Sequence, residues 1–306
     1  MRKLFAALLL AVAVSAETSA QLLYRISGNG LEKPSYLIGT FHVASATFAE
    51  QIDGVKEAIT ATDQVYGELS MDVTSNPDSL KAMTAAMMLP DGKTLKDILS
   101  ASDYKKLDAT LVKLMGVGLS NKQVMEQMGR MCPAALTTNL SLMMYLMKHP
   151  GEFDPTNSFD NYFQLQAKAN NEPYGGLETM SLQTRLLFSS PLARQTELLM
   201  CLIDNADFYM QQQEAMSKAF YDQNLDALAA AMDKKIGGHC DATPDEETSL
   251  IYARNAEWAR IMPEIMKSKP TFFAVGAGHM PGVKGLLAML RAKGYKVEPV
   301  TGGNTD

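Results

Sequence analysis

Short apolar runs that close on glycine stand near both ends of this chain, and nearly everything between them has helical periodicity. Leu22 to Ile26 and Tyr36 to Phe41 read as two strands. Gly28-Asn29-Gly30 and Pro34 punctuate their connection, which predicts a hairpin. Ala49 to Ala61 reads as a helix and Gln64 to Leu69 as a third strand. At the far end, the β-branched and aromatic run Thr271 to Val275 closes on Gly276-Ala277-Gly278. Val283, Leu286, Leu287 and Leu290 then mark one face of a helix that Gly294 stops, and Lys296 to Val300 is a last strand. This strand–turn–helix–strand order predicts a βαβ unit with parallel pairing. A helical region runs from about Asp78 to Lys148, with stops at Pro90-Asp91-Gly92, Gly116 to Gly118 and Pro133. Further on come a short strand candidate at Tyr174 to Leu177, a helix opened by Ser190-Pro191, and another from Glu246 to Met262. The expected architecture is α/β: a mixed central sheet built from both ends of the chain, with a large helical insertion, about residues 78–170, in the middle.

The first twenty residues stand apart. Arg2 and Lys3 precede an unbroken apolar run, Leu4 to Val14, and small residues follow, with Ser15-Ala16 and Ser19-Ala20 as cleavage ends. Residues 1–20 therefore read as a secretory signal peptide and 21–306 as a single domain. The apolar run is shorter than the ~20 residues a membrane span needs, and no cysteine follows it to carry a lipid. An exported protein is expected, periplasmic or extracellular, with no stable membrane anchor after cleavage. Lys and Arg number 28 against 34 Asp and Glu, so no basic footprint invites nucleic acid. Export also means an oxidising compartment. Cys201 and Cys240 share one helical region and are the expected disulfide; Cys132, before Pro133 in an apolar stretch, is the expected buried thiol.

Chemistry concentrates at the strand ends. Only four histidines occur, and two share one setting: Gly39-Thr40-Phe41-His42 and Gly276-Ala277-Gly278-His279 each follow an apolar strand. Ligands of α/β sheets bind beyond the carboxyl ends of strands, and glycines there let the backbone come close. A histidine so placed can be a general base, a metal ligand or both. Glu68 closes the third strand in Val65-Tyr66-Gly67-Glu68, and Glu178 follows Gly175-Gly176-Leu177; either carboxylate can complete the site, although each also suits a helix start. Arg254 shares a helix face with Leu250, Trp258 and Ile261. A core-facing arginine needs a carboxylate, which Glu68 or Glu178 would supply, unless its stem packs on Trp258 and its head reaches water. Asn255 can add a hydrogen bond to the same site. His239-Cys240-Asp241 lacks a second ligand pair at zinc spacing and reads as a disulfide turn. Neither a Gly-x-Ser-x-Gly elbow nor a Walker loop occurs, and Gly276-Ala277-Gly278 lacks the third glycine of a dinucleotide fingerprint. The 21 methionines concentrate in the helical middle, where they fill gaps between helices or form an adaptable lid.

Together these segments resemble the TraB/GumN family, which includes the TIKI metalloproteases and pheromone-shutdown proteins. The resemblance is carried by both Gly-x-x-His motifs, Val65 to Glu68, Gly176-Leu177-Glu178-Thr179 with Gln183, Arg254-Asn255 and the segment Leu89 to Leu95. It implies a fold related to the erythromycin esterase and ChaN haem-binding proteins, and a central site holding His42, Glu68 and His279. Proteolysis in the TIKI branch depends on a divalent metal. The expected function is accordingly that of an exported metal-dependent hydrolase acting on a peptide or protein. His42, Glu68 and His279 would hold Zn, Mn or Co, Glu178 would orient or deprotonate water, Arg254 would stabilise an oxyanion, and Asn255 would support them. The alternatives are a non-catalytic peptide- or haem-binding protein with the same cleft, and a metal-free hydrolase in which histidine is the base on water.

Overall fold

The computed structural model describes residues 21–154 and 157–301, so the expected signal peptide lies outside the described residues. Six strands, β1 (Leu23–Ser27), β2 (Ser35–Thr40), β3 (Gln64–Gly67), β4 (Tyr174–Gly176), β5 (Thr271–Gly276) and β6 (Lys296–Pro299), form one sheet in the order β4-β3-β5-β2-β1-β6. β4, β3, β5 and β2 run parallel. The β1–β2 hairpin forms as expected, with Leu23 opposite Ile38 and Arg25 opposite Tyr36. Its turn places Gly28, Asn29 and Gly30 at φ of 78°, 47° and 82°, the left-handed region that glycine enters without steric cost.

β5 lies between β2 and β3, with Thr40 beside Gly276 and Gly67 beside Ala274. The carboxyl ends of these three strands therefore meet at one edge of the sheet. The last strand corrects the expected βαβ pairing. β6 does not pair with β5, both of whose flanks are taken by β2 and β3; it pairs antiparallel with the free edge of β1, Val297 opposite Ile26.

The principal helices are α1 (Val55–Thr60), α2 (Pro77–Ala86), α3 (Ala101–Met115), α4 (Lys122–Met128), α5 (Pro133–Lys148), α6 (Phe159–Ala169), α7 (Met180–Phe188), α8 (Leu192–Asp204), α9 (Ala206–Tyr221), α10 (Leu225–Met232), α11 (Ala253–Ser268) and α12 (Leu286–Ala292). Side-chain caps mark where several begin: Asn76 accepts from the Asp78 and Ser79 amides, Ser100 from Asp103, Asn121 from Gln123 and Val124. The single helix expected over 49–61 is instead a short turn, Ala46–Gln51, then α1. Gly54, at φ of 79°, breaks it.

Two apolar cores form among the described residues. One joins the sheet to its covering helices through Ile38, Val65, Phe163, Trp258, Phe272 and Phe273, all fully buried. The other lies among helices, with Leu107, Leu111, Leu136 and Leu140 packed against Leu199 and Leu202 of α8. Burying each such side chain is worth about 1.5–3 kcal/mol. α6 belongs to the first core through Phe159 and Phe163. Met128 and Met144 sit inside the second core and Met87, Met125, Met131 and Met143 at its margin, which is gap filling. Cys201 and Cys240 form the expected disulfide, and Cys132 is a buried thiol.

Candidate active site

At the shared edge of β2, β5 and β3, the two histidine motifs pack against each other. Here glycine is required by close approach within the protein rather than by a ligand. A Cβ on Gly39 would stand 2.8 Å from Met280 Sδ and 2.9 Å from Ala277 Cβ. One on Gly276 would stand 3.1 Å from Glu68 Oε1, which already accepts the Gly276 amide at 2.8 Å. Gly278 faces Met232, whose Cε would lie 2.7 Å from its Cβ. Glu68 follows the last residue of β3, and the Glu178 amide donates to its carbonyl at 3.0 Å, so both carboxylates leave the sheet side by side.

Arg254, on α11, joins them. Its Nε donates to Glu178 Oε2 at 2.9 Å and its Nη2 to Glu178 Oε1 at 2.7 Å, a bidentate pair. Nη2 also donates to Glu68 Oε2 at 2.5 Å, and Nη1 to the Leu250 carbonyl and to His279 Nε2, each at 3.0 Å. The guanidinium lies 4.7 Å above the Trp258 ring. Of the two readings of this arginine, the carboxylate-paired one holds, with both acids as partners. Gln183 completes the Glu68 shell, donating to Oε2 at 2.9 Å.

His279 is 5% exposed and lies 4.5 Å from Trp258, ring to ring. Asn255 fixes its tautomer. The Asn255 amide nitrogen donates to the carbonyls of His279 and Lys284, so Oδ1 faces the ring and accepts from Nδ1–H at 2.7 Å. Nε2 then carries the lone pair that Arg254 engages. Burial pushes the His279 pKa down to about 4, against the pull of Glu68, 3.9 Å away. Burial also disfavours ionised Glu68, but the charge of Arg254, with smaller contributions from His279 and His42, keeps its pKa below the usual carboxylate value.

His42 differs. Its side chain is 77% exposed, and Nδ1 lies 3.1 Å from Asp160 Oδ2. Asp160, whose other oxygen accepts from Thr40 Oγ1 at 2.5 Å, raises the His42 pKa. His42, Glu68, Asp160 and Gln183 line a cleft of about 300 Å³. Asp160 carries no signal of this role in the sequence, because an acid in the first turn of a helix is ordinary there. Among the described residues, the one trio of ligand-type side chains whose donor atoms all lie within 4.8 Å of one another is Cys201, His239 and Cys240. Its cysteines are disulfide-bonded and offer no thiolate. Glu68 Oε1 lies 3.9 Å from His279 Nε2 and Arg254 bonds both residues, but with His42 the three do not converge that closely.

The model of the TraB/PrgY/gumN family matches residues 22–299. Among curated proteins, the chain is 25% identical to Metalloprotease TIKI2 of Danio rerio over 306 residues, covering 87% of this chain and 58% of that protein. It is 27% identical to Metalloprotease TIKI2 of Xenopus tropicalis, over 89% of this chain and 59% of that protein. Metalloprotease TIKI1 of Homo sapiens is 26% identical over 89% of this chain and 61% of its own length. The chain thus spans about three-fifths of the length of these relatives.

Proposed function

The chain belongs to the TraB/PrgY/gumN family, and on that premise we propose that it is an exported, divalent-metal-dependent hydrolase that cuts peptides or proteins. One observation carries the reading: each motif histidine commits Nδ1 to a hydrogen-bond partner, Asp160 for His42 and Asn255 for His279, which makes Nε2 the nitrogen that would ligate, at His279 in place of its bond from Arg254. Metal-ligating histidines are oriented in this way, the second nitrogen held by a carboxylate or amide. With Glu68 the donor set is two imidazoles and a carboxylate, which suits Zn, Mn or Co. The Arg254 guanidinium engages Glu68 Oε2 and His279 Nε2, so these two would exchange it for the ion.

His42, Glu68 and His279 would hold the ion, and a bound divalent ion supplies a water of lowered pKa. The remaining work falls to the protein. His279, kept neutral by burial, has its lone pair available without first losing a proton. To hold an ion, His279 would give up the hydrogen bond from Arg254 Nη1, while Glu178 would keep two N–H groups of the guanidinium. Nη1, still bonded to the Leu250 carbonyl, would then have one N–H free beside His279 to stabilise an oxyanion. Glu178 positions Arg254 and is the nearby base candidate. Asn255 holds the imidazole in the required tautomer.

The test is cleavage of a peptide library with and without a chelator, using wild type and His279→Ala. The expected result is turnover abolished by the chelator, restored by metal, and lost in the variant. Turnover that survives chelation would transfer the chemistry to a metal-free histidine base. A chain that binds the library without cutting it would be a peptide-binding protein.

A further inference from the structure

Beyond the charged cluster, α7 leads away from the site into a larger, apolar cavity. Gln183 of α7 bonds Glu68, Leu182 and Leu186 line a small hollow beside Glu178 and Arg254, and Leu186 continues into a cavity of about 750 Å³ between α5, α7, α8 and the segment before α11. Gln183 and Leu187 are four residues apart, about 6 Å along a helix. Leu186 and Ser249 line both spaces, so the two adjoin. Leu186, Leu187, Leu198, Leu202 and Leu250 give the cavity its apolar wall. Its volume falls in the range of ligand pockets, about 300–1,000 Å³.

The wall is built rather than incidental. Cys240, on the rim, is tied to α8 by its disulfide with Cys201. Arg194 ties the neighbouring loop by bonding the carboxylate of Glu246 and the carbonyls of His239 and Asp241. On the other side Thr248–Tyr252 forms a π-turn, a feature that often marks functional sites. Within it the Leu250 carbonyl accepts from Arg254 Nη1 while the residue lines the cavity. One residue thus touches both the cavity and the guanidinium. Of the three charged lining residues, Arg185 and Asp245 are opposite in sign and Glu246 is paired with Arg194, so the rim offers no unbalanced charge.

We propose that this cavity is a substrate subsite that takes large, uncharged apolar side chains of a peptide whose backbone lies across the cleft lined by His42, Glu68 and Gln183. The proposal rests on the peptidase reading, and its volume admits more than one such side chain. Occupancy at Leu250 is felt at Arg254, so a peptide with leucine or phenylalanine in the subsite also steadies the guanidinium beside the reacting centre.

Binding separates this proposal from the catalytic one. In the presence of a chelator, fluorescence anisotropy would compare a labelled Gly-Leu-Phe-Leu-Gly amide with a Gly-Ser-Asn-Ser-Gly amide on the full chain. Wild type is expected to bind the apolar peptide at least about tenfold more tightly. Leu187→Asp, at a position already 50% exposed, and Thr138→Trp, which fills the mouth from an exposed site on α5, should each remove that preference and leave polar-peptide binding unchanged. Equal binding of the two peptides, or an undiminished preference in both variants, would overturn the subsite. Tight binding without cleavage once metal is restored would sink the peptidase reading and leave the subsite standing.

Discussion

At the scale of residues, the two motif histidines are opposites despite their matching sequence setting. His279 is buried, neutral and bonded on both nitrogens; His42 is exposed and drawn toward protonation by Asp160. Their pH linkages therefore have opposite sign. The unfolded chain protonates His279 as pH falls through the usual 6.5, whereas the folded protein resists down to about 4, so stability is lost between those values on acidification. The effect is on the order of 3 kcal/mol. The raised pKa of His42 gives stability that is present at low pH and lost as pH rises through about 9, weakly, because water screens an exposed pair. Imidazole resonances of the metal-free protein should show His279 uncharged and His42 charged at pH 6; a single ordinary midpoint for both would contradict this. Arg254→Met leaves two carboxylates facing each other in a nearly buried site and should cost about 3–5 kcal/mol in urea unfolding. A loss below 1 kcal/mol would mean that the network is looser than its bonds indicate.

At the scale of elements, the site depends on strand ends brought together by β5. Gly39→Ala puts a methyl group into Met280 and Ala277 and should cost about 1–3 kcal/mol by overpacking, with a lowered melting temperature. A neutral substitution would show that the loop after β5 yields freely. Much of this frame was legible beforehand. β-branched runs and glycine stops marked the strands near both ends, and the hairpin turn was spelled by Gly28-Asn29-Gly30. Strand order was not legible, because pairing depends on which flank of β5 is free, and β6 went to the edge of β1. The π-turn before α11 was equally hidden, since one added residue in a helical turn leaves the apolar periodicity readable as helix. Arg254 was legible as a charge on an apolar face. Asp160 was not, for it reaches His42 across 118 positions in sequence.

For the molecule as a whole, a rigid sheet edge bearing the charged groups sits beside a helical layer with its own core and a large apolar cavity. The Cys201–Cys240 disulfide, spanning 39 positions, pins that layer. Replacing both cysteines with serine should cost about 2–4 kcal/mol and depress unfolding midpoints under oxidising conditions. Unchanged stability would make the bond incidental. No helix among the described residues is long and apolar enough to cross a membrane. The proposal that the paired histidines and Glu68 serve a metal is tested most directly by metal content per chain after loading and desalting, by elemental mass spectrometry. Wild type should retain about one divalent ion per chain, and His279→Ala, still folded by circular dichroism, should retain none. Equal metal content in the two proteins, or none in wild type, would contradict it.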